Sequence, residues 1–271
     1  MRHSVSKARF LPVVVFALLA GAWPMVAQAA SAPGLGSAAD FAVLAGTALT
    51  CTDSSVAGPV GVNFTTAFAS TRCKMQVQNA PGAYGEFLTA YSKGLGTCDT
   101  TFDAPTLGST SLTSGVYCFP AALTMTSATL TLTGTGPWNF EIGTSGTGAL
   151  TATSLTVIST NPCNVYWWVH DDTTIKDSAF QGTILGGGAI TMTGTSLDGR
   201  ALATGAVTMT GSNVFGCNAA GTVASQHCNQ GVGNGPEGCD PGNSNQGNPS
   251  RSNDELGGTP GNPGRQGGNG K

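Results

Sequence analysis

A chain of 271 residues is long enough for one or two domains, and a 40% hydrophobic share is enough to build a core. Charged residues make up only 9% and the net charge is -3, so nothing in the charge points to a nucleic-acid partner. Gly is abundant at 40 residues and Thr is visibly frequent, a mixture suited to β-structure with tight corners.

The head of the chain reads as an export signal. Arg2, Lys7 and Arg9 form a basic start, residues 10–22 an apolar run, and Ala27-Gln28-Ala29 a small-residue cleavage site. The run is too short for a stable membrane span, and no later stretch is apolar enough for one. The expected division is a signal peptide over 1–29, one β-domain over 30–217 and a Gly/Asn/Pro-rich tail over 218–271. The tail cannot bury enough apolar surface to offset its ordering entropy, so it is expected to be flexible.

After the signal, residues 35–46 form an apolar strand that ends at a Gly corner. Val56-Ala-Gly-Pro-Val-Gly-Val parallels Leu197-Asp-Gly-Arg-Ala-Leu, which predicts that a coil made from the N-terminus joins the same stack as the later strands. Between them, Tyr84, Phe87, Leu88, Tyr91 and Leu95 recur at helical spacing and predict a helix of three or four turns that covers an apolar flank. Strands resume at residues 115–119. In Leu123-Thr-Met-Thr and Thr129-Leu-Thr-Leu-Thr, strict alternation sends Leu and Met inward and Thr outward. Trp138-Asn-Phe-Glu-Ile and Val165-Tyr-Trp-Trp-Val are two more strands, whose Trp167 and Trp168 read as core or flank packing rather than as a sugar-stacking platform.

The plainest regularity is a repeat. Residues 180–194 (FQGTILGGGAITMTG) and residues 197–211 (LDGRALATGAVTMTG) agree at Gly, Leu, Gly, Ala, Thr, Met, Thr and Gly with an offset of seventeen. Such a period of small, β-branched and apolar residues marks stacked β-coils rather than a helical array. Extended in both directions, the frame yields quartets between apolar flanks. These are Thr126-Ser127-Ala128-Thr129, Thr151-Ala152-Thr153-Ser154, Lys176-Asp177-Ser178-Ala179, Thr193-Gly194-Thr195-Ser196 and Thr210-Gly211-Ser212-Asn213, with Thr52-Asp53-Ser54-Ser55 in the N-terminal coil. Short polar residues at every turn predict one polar face.

All 8 cysteines lie beyond the signal, which fits an oxidising compartment. With no CxxC pair and only His170 and His227 in the mature chain, no metal site is expected. The sequence leaves the disulfide pairing open, and the pairs taken as expectations are Cys51 with Cys73, Cys98 with Cys118, Cys163 with Cys217, and Cys228 with Cys239.

Residues 35–46, Leu112-Thr-Ser-Gly-Val-Tyr, Cys163-Asn-Val-Tyr-Trp, and Leu197-Asp-Gly-Arg-Ala-Leu-Ala followed by Gly205-Ala-Val-Thr resemble signature segments of the microbial ice-binding proteins. The resemblance covers about residues 35–216. It implies a mainly β fold, a right-handed discontinuous β-solenoid with one α-helix packed alongside. It also implies an ice crystal surface as partner; with the export signal the expected place is outside the cell or at its surface, and no cofactor is expected. That family carries Thr-Ala/Gly-x-Thr/Asn quartets on the face that meets ice. Carried over by position, the expected ice-binding residues are Thr126, Thr129, Thr151, Thr153, Ser154, Thr193, Thr195, Ser196, Thr210, Ser212 and Asn213. Lys176-Asp177 departs from the pattern and puts a charged pair in mid-ladder.

Two other readings compete. A polysaccharide-cleaving enzyme on such a scaffold needs paired carboxylates or a metal-and-base cluster in one groove. Glu141, Asp171, Asp172, Asp177 and Asp198 form no pair by spacing, so no enzyme is expected. A non-catalytic surface adhesin or matrix protein is the nearer rival, with the tail as a spacer that associates with a cell surface or matrix.

Overall fold

A computed structural model describes residues 30–63 and 68–217. The expected export signal, the tail and the Cys228 and Cys239 pair lie outside the described residues.

The fold is mainly β with one helix, and the named strands pair in parallel. One sheet has seven strands and the other twelve. A coil contributes a short strand to the smaller sheet, turns a corner, and continues into the larger sheet, where longer strands such as Ala179–Gly186 and Ser196–Ala203 run through a second bend. No coil has a core of its own. Alternation points one apolar residue in two inward, and stacking turns those residues into columns. Leu123, Leu150, Ile190, Val207 and Leu49 form one column under the smaller sheet, and Met125, Ala152, Ile175, Met192, Met209 and Cys51 the next. Across the interior, the column Tyr117, Phe140, Trp167, Ile184, Ala201, Val43 tapers from aromatic to small. Phe140 and Trp167 stack with centroids 4.1 Å apart. Trp167 is fully buried and donates from Nε1 to the carbonyl of Gln181 at 2.9 Å, so its ring belongs to the core.

The N-terminal coil joins this stack, as the parallel between Val56 and Leu197 predicts. Val43–Ala45 pairs with Ser196–Ala203, Leu49–Thr52 with Val207–Thr210, and Ser55–Ala57 with Asn213–Phe215. The chain's first coil is thus laid on its last. Buried Arg200 holds this junction. Its guanidinium donates to the carbonyl of Ala39 at 2.8 Å, the hydroxyl of Thr183 at 3.2 Å and the carbonyl of Cys217 at 3.2 Å. Disulfides join Cys51 to Cys73, Cys98 to Cys118, and Cys163 to Cys217. The first ties the strand Phe68–Thr71, at the edge of the smaller sheet, to its neighbour.

The helix spans Pro81–Tyr91, starting at a Pro whose missing N–H costs nothing in the first turn. It covers the outer side of the larger sheet, over Leu44, Leu185 and Leu202. The buried stripe is Ala80, Ala83, Phe87 and Ala90. Leu88, expected on that stripe, is 39% exposed, and Leu95 is buried beyond the helix end. Leu88 follows buried Phe87 by one residue, about 100° further round the helix, and so faces outward. Tyr84 and Tyr91 lie at the margins of the contact. Their hydroxyls donate to the carbonyls of Thr204 (3.1 Å) and His170 (3.2 Å). Trp168 stacks on Tyr91 at 5.1 Å and donates to its carbonyl, so both tryptophans pack as the sequence suggests. Among the described residues, no helix is long and apolar enough to cross a membrane.

Two predictions follow from this packing. Thr173 sits in the otherwise apolar column of Leu150 and Ile190, fully buried, with its hydroxyl unpaired. Thr173→Val keeps the shape and removes the unpaired group, so it should stabilise the fold by about 1 to 2 kcal/mol, read as a raised thermal midpoint. Burial, and then the charge of Asp171, push the Tyr91 hydroxyl up to about 12 from 10.0. The folded state therefore favours the protonated phenol. Its contribution is whole below pH 10 and is lost as pH rises towards 12. Tyr91→Phe should flatten the alkaline limb of a stability-against-pH curve.

Candidate functional site: a two-column threonine face

The outward side chains of the smaller sheet form two parallel columns. The inner column is Thr124, Thr151, Thr174, Thr191, Thr208 and Thr50, closed by Ala69 in the edge strand. The outer column is Thr126, Thr153, Lys176, Thr193, Thr210, Thr52 and Thr71. Every one of these positions is exposed or half-exposed, while the residue between each pair is buried in every strand except Phe68–Thr71. The reason is local and repeats in five of the seven strands. A sequence of the form apolar-Thr-apolar-Thr in extended backbone must show both threonines to one side. Neighbouring coils lie ~4.8 Å apart and alternate residues along a strand about 6.6 to 6.8 Å apart, so the face is a grid.

Past the outer column each coil turns a corner through a residue in the left-handed region. The corner residues are Ser127, Ser154, Asp177, Gly194, Gly211, Asp53 and Arg72, with φ between 49° and 61°. Gly accepts that conformation at no cost, and Asp and Ser tolerate it better than branched residues. Backbone pairing continues through the bend. Ser154 donates to the carbonyl of Lys176 at 3.0 Å, Asp177 to Thr193 at 2.8 Å and Gly194 to Thr210 at 2.9 Å. At the edge of the stack Arg72 bonds Asp53 from two nitrogens, which holds the Asp53 carboxyl below its ordinary range. Both groups are exposed, so the pair adds little to stability.

The eleven residues expected on this face divide four ways. Thr126, Thr151, Thr153, Thr193 and Thr210 stand on it. Ser154 occupies a corner. Thr129, Ser196 and Asn213 belong to a column on the adjacent face of the larger sheet, with Thr156, Ala179 and Ser55. Thr195 and Ser212 are a correction. They are 2% and 1% exposed and point into the stack, because the residue after a left-handed corner turns inward. The register of one quartet also changes. Thr153, not Thr151, lies between Thr126 and Lys176, since Ala152 and not Leu150 occupies the column of Met125 and Ile175. Thr50, Thr52, Thr71, Thr124, Thr174, Thr191 and Thr208 complete the face and are absent from the expected set. The alternation that sends Thr outward on both sides of Met was the signal for Thr124, Thr191 and Thr208.

Lys176 replaces threonine only in the outer column, and Asp177 beside it lies on the corner, off the grid. The interruption is narrower than the sequence implies. Three of the acids weighed for catalysis bond backbone groups at turns. Buried Glu141 accepts from the backbone N–H groups of Leu95 and Gly96 after the helix. Asp171 accepts from Gly148 at 2.7 Å and Asp172 from Ala189 at 2.7 Å, stapling turns of adjacent coils. Among the described residues, no group of three or more His, Cys, Asp or Glu is placed to hold a metal ion.

A model of the ice-binding-like family matches residues 32–215. The chain belongs to that family. Solved structures of similar fold include an ice binding protein from an Antarctic biological consortium, 26% identical, covering 71% of this chain and 94% of that one with a TM-score of 0.60. Another is an ice binding protein from an Antarctic bacterium of the Flavobacteriaceae, 34% identical over 68% of this chain, with a TM-score of 0.59. The match spans 47% of that longer protein. An ice-binding protein of the Antarctic ascomycete Antarctomyces psychrotrophicus, at 24% identity and a TM-score of 0.59, shares the fold. No curated protein matches the chain in sequence.

Proposed function

We propose that this member of the ice-binding-like family is a secreted protein that adsorbs to ice through the threonine face of its smaller sheet. The observation that carries the reading is the double column itself, with threonine in both columns of five coils. Each threonine offers a hydroxyl that can anchor water and a methyl that discourages random hydration. β-Branching leaves little rotamer freedom to lose on binding. Waters held on such a grid join the lattice of a growing crystal, and the ice front between adsorbed molecules must then curve, which opposes growth without a chemical step. The solved ice binding proteins of similar fold support the same reading.

Secretion draws support from the signal-like residues 1–29 and from three disulfides, which persist in oxidising compartments. The composition of 218–271 suits a spacer that attaches the domain to a cell surface or matrix. A right-handed, discontinuous β-solenoid is the winding in keeping with the general hand of parallel crossovers and with the N-terminal coil laid on the last.

Ice-affinity partitioning of the mature protein tests the proposal. An ice binder is drawn into a slowly growing ice hemisphere, and retention in the liquid would favour the adhesin reading. Thr210→Tyr puts a protruding ring on the grid and should cut thermal hysteresis severalfold while circular dichroism stays native. Lys176→Thr completes the outer column and should raise thermal hysteresis. No gain would mean that ice contact does not extend to that coil.

A further inference from the structure

Thr195 and Ser212, buried under the corner, belong to a row of hydroxyls with Ser54 and Ser178, all less than a tenth exposed. Each of the four bonds the carbonyl of the residue two positions earlier, the outer-column residue of its own coil. Ser54 donates to Thr52 at 2.8 Å, Ser178 to Lys176 at 2.7 Å, Thr195 to Thr193 at 3.2 Å and Ser212 to Thr210 at 3.0 Å. Three of them also accept a backbone N–H from the neighbouring coil. Ser178 accepts from Leu155 at 3.1 Å, Ser212 from Thr195 at 3.2 Å and Ser54 from Ser212 at 3.0 Å. Thr195 instead shares its one proton between the carbonyls of Thr193 and Ile175, each at 3.2 Å. The physical need is plain. The left-handed corner swings the next backbone N–H into the interior, where an unpaired donor is costly. The hydroxyls of Ser54, Ser178 and Ser212 bridge such an N–H to the carbonyl at the end of an exposed strand.

We infer that Ser54, Thr195 and Ser212 are positioning residues for the threonine face, fixing the outer column from inside. This rests on the proposed ice contact at that face. The carbonyls of Thr193 and Thr210 are held from two directions, by the buried hydroxyl and by the N–H of Asp177 or Gly194 in the next coil. A strand end held so cannot rock, and the spacing of its methyl and hydroxyl groups stays constant. The row is confined to part of the stack. At the corners beside Thr126 and Thr153 the equivalent residues are Ala128 and Leu155, which carry no hydroxyl. The three coils that combine a buried hydroxyl with threonine in both columns are contiguous, at Leu49–Thr52, Val207–Thr210 and Ile190–Thr193. They are the part of the grid braced in this way.

Thr195→Val removes the hydroxyl without changing volume, Ser212→Ala removes the second, and Thr195→Ser keeps the hydroxyl. Ile184→Val in the opposite sheet is a reference for simple loss of core stability, and Thr208→Tyr blocks the face directly. The double variant Thr195→Val with Ser212→Ala should keep native circular dichroism near freezing and lose thermal hysteresis by about threefold or more, as expected when a site's support is loosened. Its Thr193 and Thr210 methyl resonances should shift and broaden, while Thr195→Ser and Ile184→Val stay close to the parent. If the double variant fails to fold, the isosteric Thr195→Val alone carries the same expectations. Unchanged hysteresis and methyl resonances in the hydroxyl-free variants, with activity abolished by Thr208→Tyr, would overturn the positioning role and leave the ice face standing. Full activity in Thr208→Tyr would remove the face, and the positioning role with it.

Discussion

A single coil of this protein has almost nothing to fold around. Its inward residues make one thin row, and both edges of its backbone carry unpaired donors and acceptors. Parallel pairing with the coils above and below answers both problems at once, because one register aligns the hydrogen bonds and closes the apolar columns. A slip of one residue would turn Met192 and Met209 outward and bury Thr193 and Thr210, so register is strongly specified. The threonine grid is the other side of that constraint: whatever order the core imposes on the inward columns is imposed on the outward ones as well.

Closing the stack brings distant segments together. The N-terminal coil supplies Thr50 and Thr52 to a face whose neighbours are Thr208 and Thr210, and the Cys51 to Cys73 disulfide carries the grid one strand further, to Thr71. Buried Arg200, bonded to Ala39 and Cys217, and the helix over Leu44, Leu185 and Leu202 hold the two chain ends of the domain against each other. Several polar side chains, buried or at the surface turns, serve the backbone. Glu141, Asp171 and Asp172 accept N–H groups at turns, and the corner hydroxyls bridge one coil to the next. The charged side chains that the fold buries, Glu141 and Arg200, bond backbone groups that the regular ladders leave open.

Much of the architecture was legible in the residues. The offset between Phe180 and Leu197 is the pairing offset of their strands, and Val56 stands in the column it was matched to. The helix was legible from its aromatic spacing, although its buried stripe runs through Ala83 and Ala90 and leaves Leu88 in water. The face was half legible. A quartet is a string, and a string does not say where the chain bends. The corner at the second position sends the first residue to one sheet, the third into the core and the fourth to the adjacent face. Thr193, Thr195 and Ser196 therefore part company within four residues.

Composition and alternation by themselves determined a β-rich stack with apolar residues inward and threonine outward, because a two-residue period in extended chain permits no other arrangement. They determined the matching of coils wherever the spacing was regular, as between Met192 and Met209. The tertiary structure alone decided that Ala152 rather than Leu150 stands in the column of Met125 and Ile175, that Thr195 and Ser212 are interior, and that Thr50 from the start of the domain completes a column begun at Thr124. Each of these depends on backbone angles at a corner or on contacts between segments far apart in the chain, and local pattern carries no record of either.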